Sequence, residues 1–183
     1  LDPYQRVTSQ GSVVNGVFEF LETIEYDYVH QPVGVKSVRA NQERFSEAFT
    51  SRYEYNYAGQ VVKESDVYGK YATFTYDGLG RLIASADPKN NESGDGTLTR
   101  YTYDAMGRLI LTETPMAAGA VAQERRSYDA NGNLTRVQTS NNAPGAAASY
   151  SRVDYEYNSR NWLVSVKSYD GSRLASTTGY EYD

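Results

Sequence analysis

Cysteine is absent from the 183 residues, which removes disulfides, thiolate metal sites and thiol nucleophiles, and leaves the redox compartment open. Histidine occurs once. Any acid–base relay or imidazole-ligated metal would therefore have to be built on His30, with Asp27 as the nearby partner. No apolar run reaches the roughly 20 residues that a membrane-spanning helix needs, and Leu1-Asp2-Pro3 does not begin a signal peptide. Basic residues are scattered. With 18 Lys and Arg against 23 Asp and Glu the net charge is -5, and no cluster offers the electrostatic footprint that phosphate backbones require. Nucleic acid is not an expected partner.

What the chain has in excess is tyrosine: 18, against five phenylalanines and one tryptophan. Tyrosine favours pleated, half-buried surfaces, so strand is the first expectation. The length suffices for one domain with a core of its own. The chain starts without Met and stops at Tyr180-Glu181-Tyr182-Asp183, midway through a phrase used elsewhere in it, and reads as a segment of something longer.

That phrase is a repeat. Tyr101 to Pro115 reads YTYDAMGRLILTETP, and Phe74 to Pro88 has already read FTYDGLGRLIASADP. Aligned on the Asp or Asn after the tyrosine, the copies are anchored at Asp2, Asp27, Asn56, Asp77, Asp104, Asp129, Asn158 and Asp183, a period of roughly 25 residues with elastic loops. Each copy is an alternating strand, a turn signal and a second strand. Chemistry needs its residues once, in one place; a phrase copied along the chain indicates construction.

The turn can be derived. Asp or Asn suits the first position of a type I turn because its side chain accepts a hydrogen bond from the backbone two residues on. Glycine three residues later supplies the left-handed conformation of a following bulge, giving a three-residue-loop hairpin. Gly80, Gly107 and Gly132 hold that position, Asn161 replaces glycine in the last full copy, and His30 in an early one. Asn and His are among the residues that tolerate positive φ. The spacing sets Tyr103 opposite Leu109, Thr102 opposite Ile110 and Tyr101 opposite Leu111. Asp104 then faces Arg108, as Asp77 faces Arg81 and Asp2 faces Arg6. These pairs read as register control, and tyrosine rings packed on Leu82, Leu109, Leu134 and Leu163 as the main source of stability.

The first 52 residues are a looser version, and the copies are clear from residue 53 to 183. Phe18, Phe20, Ile24 and Tyr26 alternate toward Asp27. Val35 to Phe49 reads as strand rather than helix because its alternation runs into Tyr53 and Tyr55. Residues 87–96, 115–123 and 141–149 are rich in Gly, Pro, Ala and Asn and read as loops at the far end of the hairpins. Asp170-Gly171-Ser172-Arg173 reads as a tighter far-end hairpin.

Candidate chemistry is thin. His30 is better explained as a turn residue than as a catalyst. No G-x-S-x-G elbow occurs and no second histidine completes a triad. Asp87, Asn91, Glu92 and Asp95 carry oxygen ligands of the kind calcium takes, but Lys89 interrupts them, and a solvated loop is the expectation. No cofactor and no metal are expected.

The copies Tyr76-Asp77-Gly78-Leu79-Gly80-Arg81-Leu82-Ile83 and Tyr103-Asp104-Ala105-Met106-Gly107-Arg108-Leu109-Ile110 resemble the tyrosine-aspartate (YD) repeat of the Rhs family, shared by toxin-complex shell proteins, Rhs polymorphic toxins and teneurins. The resemblance implies an all-β fold of tandem antiparallel hairpins, stacked side by side into a curved or spiral sheet. It implies a structural wall segment, not an enzyme, in a secreted or cell-surface shell that encloses a toxin or forms a scaffold. Its partners would be the remaining repeats of the shell and an enclosed toxin domain. The motif residues it marks are Tyr76, Asp77, Gly80, Arg81, Tyr103, Asp104, Gly107, Arg108, Tyr128, Asp129, Gly132, Tyr157 and Asn158. The alternative is an extracellular module that binds carbohydrate or a receptor through exposed tyrosines and loops.

Overall fold

A computed structural model describes residues 1–14, 17–37, 51–66, 68–88, 98–116, 119–142 and 149–183. The fold is all-β. Two compact units divide the chain, Leu1–Gly96 and Thr97–Asp183. The first holds β1 (Ser9–Val14), β2 (Val17–Tyr26), β3 (Pro32–Ser37), β4 (Ser51–Tyr55), β5 (Val61–Asp66), β6 (Tyr71–Tyr76) and β7 (Leu82–Ala86). The second holds β8 (Thr99–Tyr103), β9 (Leu109–Pro115), β10 (Val121–Tyr128), β11 (Leu134–Asn142), β12 (Ser149–Tyr157), β13 (Leu163–Asp170) and β14 (Arg173–Gly179). Each unit is a ribbon in which every strand pairs antiparallel with its neighbour in sequence, so each hairpin leans on the one before it.

Alternation in the sequence becomes alternation of burial. In β8, Tyr101 and Tyr103 are half-buried, whereas Arg100 and Thr102 face solvent; β4 does the same with Tyr53 and Tyr55 against Arg52 and Glu54. The ribbon has one layer. Among the described residues the buried apolar side chains are Ala84, Ala86 and Ala120, and no large side chain is fully enclosed. The tyrosines therefore work as half-buried plates on a sheet, and the rings do not form the closed core that tyrosine-on-leucine packing suggested. Such a ribbon gains stability repeat by repeat from neighbours rather than from a central core.

The hairpin turns fall at the expected residues. Positive φ occurs at Gly80 (81°), Gly107 (81°), Gly132 (91°), Asn161 (61°) and His30 (72°), and no helix covers any of these turns. Asp170 pairs with Arg173 across the two-residue loop Gly171-Ser172, as the shorter phrase suggested. Two further turns at the opposite rim use the same bonding. Gly69 N–H donates to Asp66 O (3.1 Å) between β5 and β6, and Met116 N–H donates to Ala120 O (2.8 Å) between β9 and β10.

The register differs from expectation one residue beyond the turn. Tyr103 does pair with Leu109, but Thr102 then pairs with Leu111 and Tyr101 with Thr112, leaving Ile110 as an extra residue. Every motif hairpin repeats this: Val33, Val62, Ile83, Thr135 and Val164 are skipped in the same way. The cause is a second bulge in the return strand, which adds one residue and increases local twist. It also explains how Pro32 can sit opposite Tyr26, since a bulge is one of the few places in a sheet that tolerates a residue with no N–H. The strand reading of Val35 to Phe49 holds for the part inside β3; residues 38–50 lie outside the described residues, as does most of the acidic loop from 89 to 97.

Candidate functional site

The repeated feature is the turn itself, and its chemistry is clearest at Asp77. The Asp77 N–H donates to Arg81 O (2.9 Å) and the Gly80 N–H to Asp77 O (2.9 Å). Carboxylate oxygen Oδ1 accepts the N–H groups of Leu79 (2.9 Å) and Arg81 (3.0 Å). The other oxygen, Oδ2, takes Arg81 Nε at 2.7 Å. One side chain thus satisfies two turn amides and fixes the first residue of the return strand. Asp104 does the same with Met106, Arg108 and the Arg108 guanidinium. Asp129 uses Asn131, Asn133 and the Asn133 side-chain amide (2.9 Å). Asn158 keeps the backbone half, accepting from Arg160 and Trp162.

The electrostatics follow. The Asp77 and Asp104 carboxyls titrate below the ordinary value, chiefly because the N–H groups of Arg81 and Arg108 bond the charged form, with the guanidinium adding to it. Asp129 is lowered first by the Asn133 amide. At Asp2, burial pushes upward, and the bonds from Arg6 outweigh it.

Contacts between hairpins are as regular as those within them. The Tyr128 hydroxyl donates to Leu109 O of the preceding hairpin (3.0 Å), and Tyr157 to Leu134 O (3.0 Å). Tyr76 reaches Val61 O (2.9 Å), Tyr55 reaches Pro32 O (2.6 Å) and Tyr26 reaches Val7 O (2.8 Å). In the first four cases the acceptor is the first residue of the preceding return strand, beside the bulge, and Val7 lies two residues before β1. The turn arginine answers in the other direction. Arg108 Nη1 donates to Asp129 O (3.2 Å), and its guanidinium lies 4.7 Å from the centre of the Tyr128 ring; Arg6 lies 4.5 Å from the Tyr26 ring. In the last copy Trp162 takes the arginine's place and lies 5.1 Å from the Tyr182 ring.

The structure therefore brings the marked residues into two kinds of contact. Asp77, Gly80 and Arg81, like Asp104, Gly107 and Arg108, build turns; Asp129, Gly132 and Asn158 build turns of the same shape. Tyr76, Tyr128 and Tyr157 clasp one hairpin to the previous one, and Tyr103 faces Leu109. They form a ladder and do not converge on a point. His30 accepts at Nδ1 from Arg6 Nη1 at 3.0 Å, since arginine can only donate, and packs edge-on against Tyr4. Sequence reasoning missed the turn at Asp66, although Asp66 and Gly69 carry the same Asp-to-Gly spacing. It also missed the exposed rim: Tyr28 is 93% exposed, Tyr57 is fully exposed, and both border a groove of about 940 Å³ that Tyr53 and Tyr55 also line. Among the described residues no three His, Asp or Glu side chains are grouped to hold a metal ion, and no helix is long and apolar enough to cross a membrane.

Turns copied at a period of roughly 25 residues, most of them clasped to a predecessor through a tyrosine hydroxyl, define a tandem hairpin-repeat protein. Residues 55–92 match the family described as RHS Repeat, the family whose repeat the tyrosine-aspartate phrase resembles. No curated protein sequence matches the chain. Among solved structures, a chain of the Tc holotoxin pore of Photorhabdus luminescens matches at TM-score 0.50 and 13% identity, over 86% of this chain and 9% of that one. A TcdB2-TccC3-TEV crystal structure matches at TM-score 0.34 and 12% identity, over 90% of this chain and 12% of that one. The first likeness establishes the fold. This chain spans about a tenth of the length of the solved chains it matches.

Proposed function

We propose that residues 1–183 form a structural wall segment of a YD-repeat shell, with no catalysis of its own, looser in its first 52 residues and regular from 53 onward. The observation that carries this reading is the ladder. Asp77, Asp104, Asp129 and Asn158 spend their polar atoms on turn amides, and the clasping tyrosines spend their hydroxyls on neighbouring backbone. Groups committed in this way have little capacity left for a substrate. The partners of such a wall are further repeats of the same kind and an enclosed toxin domain, and its setting is secreted or at the cell surface.

The test is protease protection in the protein that contains these repeats. A domain enclosed by the wall should resist protease until a cleavage site engineered at Ala105-Met106 opens the ribbon. Equal susceptibility before and after that cut would count against enclosure. Turnover of a hydrolase substrate that disappears with His30→Ala would refute the non-catalytic part.

The exposed Tyr28 and Tyr57 beside the groove favour a second reading, a carbohydrate- or receptor-binding face. A saturable glycan affinity lost with Tyr57→Ser, the fold being intact by circular dichroism, would establish it.

A further inference from the structure

One turn keeps its carboxylate but has no arginine to go with it. Where the motif is complete, the arginine touches its own turn and the next one. Arg108 Nε donates to Asp104 Oδ2 (2.7 Å), its Nη1 donates to Asp129 O (3.2 Å), and its guanidinium lies 4.7 Å from the centre of the Tyr128 ring. Arg6 repeats this with the Asp2 carboxylate, Asp27 O (3.4 Å) and the Tyr26 ring (4.5 Å). In the turn that Asp27 opens, Gln31 stands in the arginine's place. Asp27 Oδ1 still accepts the N–H groups of Val29 (2.9 Å) and Gln31 (2.8 Å). Among the described residues, however, Oδ2 accepts no hydrogen bond, and the cations that lie over rings do so at other aromatics than Tyr55. The Gln31 amide reaches to the next turn, with Nε2 2.8 Å from where a Cβ on Gly59 would stand. The other turns without arginine differ: the Asn133 amide holds Asp129 Oδ2 (2.9 Å), and Asn56 has no carboxylate to offer.

On the footing that the groove beside Tyr28 and Tyr57 is a receptor face, we infer that it takes an arginine side chain carried by a partner polypeptide. Asp27, Tyr55 and Asn56, the counterparts of Asp104, Tyr128 and Asp129, all line it. The guanidinium bonds Asp27 Oδ2, covers the Tyr55 ring and donates to Asn56 O. That carbonyl already accepts from Gly59 N–H (3.0 Å), as Asp129 O accepts from Gly132 N–H while also holding Arg108, and a carbonyl has two lone pairs. The lining side chains include two acids and no cation. Glu54 is paired with Lys63 (2.9 Å), so Asp27 is the charge left to be matched. Arginine suits the place better than lysine because a planar fork can bond two oxygens while lying flat on a ring. At about 940 Å³ the groove also has room for the backbone that carries the side chain.

The probe is a blocked Ala-Arg-Ala tripeptide titrated into the full chain and followed by NMR chemical shifts, with Ala-Lys-Ala alongside. Saturable shifts are expected at the groove, about tenfold weaker in affinity for the lysine peptide. Gln31→Arg supplies the guanidinium from within, as Arg81 does for Asp77, and should abolish peptide binding while raising the thermal midpoint. Asp27→Asn keeps the turn, since Asn56 and Asn158 close the same one, and should weaken binding about tenfold. Tyr57→Ser, which removes a glycan-binding face, should leave the arginine peptide bound, so the two uses of the groove fail separately. Peptide binding that is absent, that is as strong for lysine, that survives Gln31→Arg, or that is lost with Tyr57→Ser and kept with Asp27→Asn overturns the inference.

Discussion

Replacing Tyr128 separates the contribution of the clasp from that of the ring. Tyr128→Phe keeps the plate under the Arg108 guanidinium and deletes only the 3.0 Å bond to Leu109 O. A neutral hydrogen bond contributes about 1 kcal/mol net, and the carbonyl left behind is only part-buried, so water can reach it and the loss should stay near that figure. Tyr128→Ala removes the plate as well. Truncating a fully buried aromatic costs roughly 3–5 kcal/mol, and a half-buried ring about half of that. Adding about 0.5–1 kcal/mol for the cation over its face and about 1 kcal/mol for the clasp itself gives roughly 3–4.5 kcal/mol. Tyr28, on a turn tip and 93% exposed, is the control: Tyr28→Ala should change stability by no more than about 0.5 kcal/mol. Urea melts followed by circular dichroism report on both the unit that holds Tyr128 and the unit that holds Tyr28. If Tyr128→Phe is silent, or if Tyr28→Ala costs as much as Tyr128→Ala, the clasp does not hold the hairpins together.

Other expectations follow from the turns. Gly107→Val should cost more than about 1 kcal/mol because a branched residue is forced to φ near 81°, whereas Gly132→Asn, strained at φ 91° but with open space around its Cβ position and a side chain that tolerates the left-handed region, should cost less than Gly107→Val in a thermal melt. Asp77, Asp104 and Asp129 have folded-state values depressed below the ordinary 3.8. Their contribution is therefore complete above that pH and lost as pH falls through the lower folded values, so the apparent melting temperature should drop below about pH 4. A flat acid limb would contradict the bonding described for these carboxylates. Arg108→Lys should destabilise less than Arg108→Ala but still measurably, since an ammonium cannot bond Asp104 while reaching Asp129 O with the same planar fork; equal midpoints for Arg108→Lys and the parent in urea would show the fork to be dispensable.

The turns were legible because they make local demands. A left-handed residue must follow the Asx turn, and Gly80, Gly107, Gly132, Asn161 and His30 stand there in the sequence. The hairpin order was legible from the period alone. The return-strand bulge was not, because Ile110 and Ile83 satisfy a paired strand as well as a bulged one, and no side chain announces the extra residue. The clasp was hidden for the same reason: it needs a carbonyl that exists as an acceptor only once the bulge has formed. The open side of the tyrosine face was missed because alternation reveals a face but does not tell whether a second layer covers it.

The clasp has a direction. At Tyr26, Tyr55, Tyr76, Tyr128 and Tyr157 the hydroxyl belongs to the later hairpin and the acceptor carbonyl to the earlier one, and the arginine over the ring also comes from the earlier one. A chain leaving the ribosome thus presents a finished socket before the residue that fills it has been made. Each hairpin can fold on arrival without waiting for sequence still to come, which suits a single-layer ribbon with no distant partner to find. Nascent chains stalled after successive turns should accordingly gain protease resistance in steps of one hairpin, from the amino end onward.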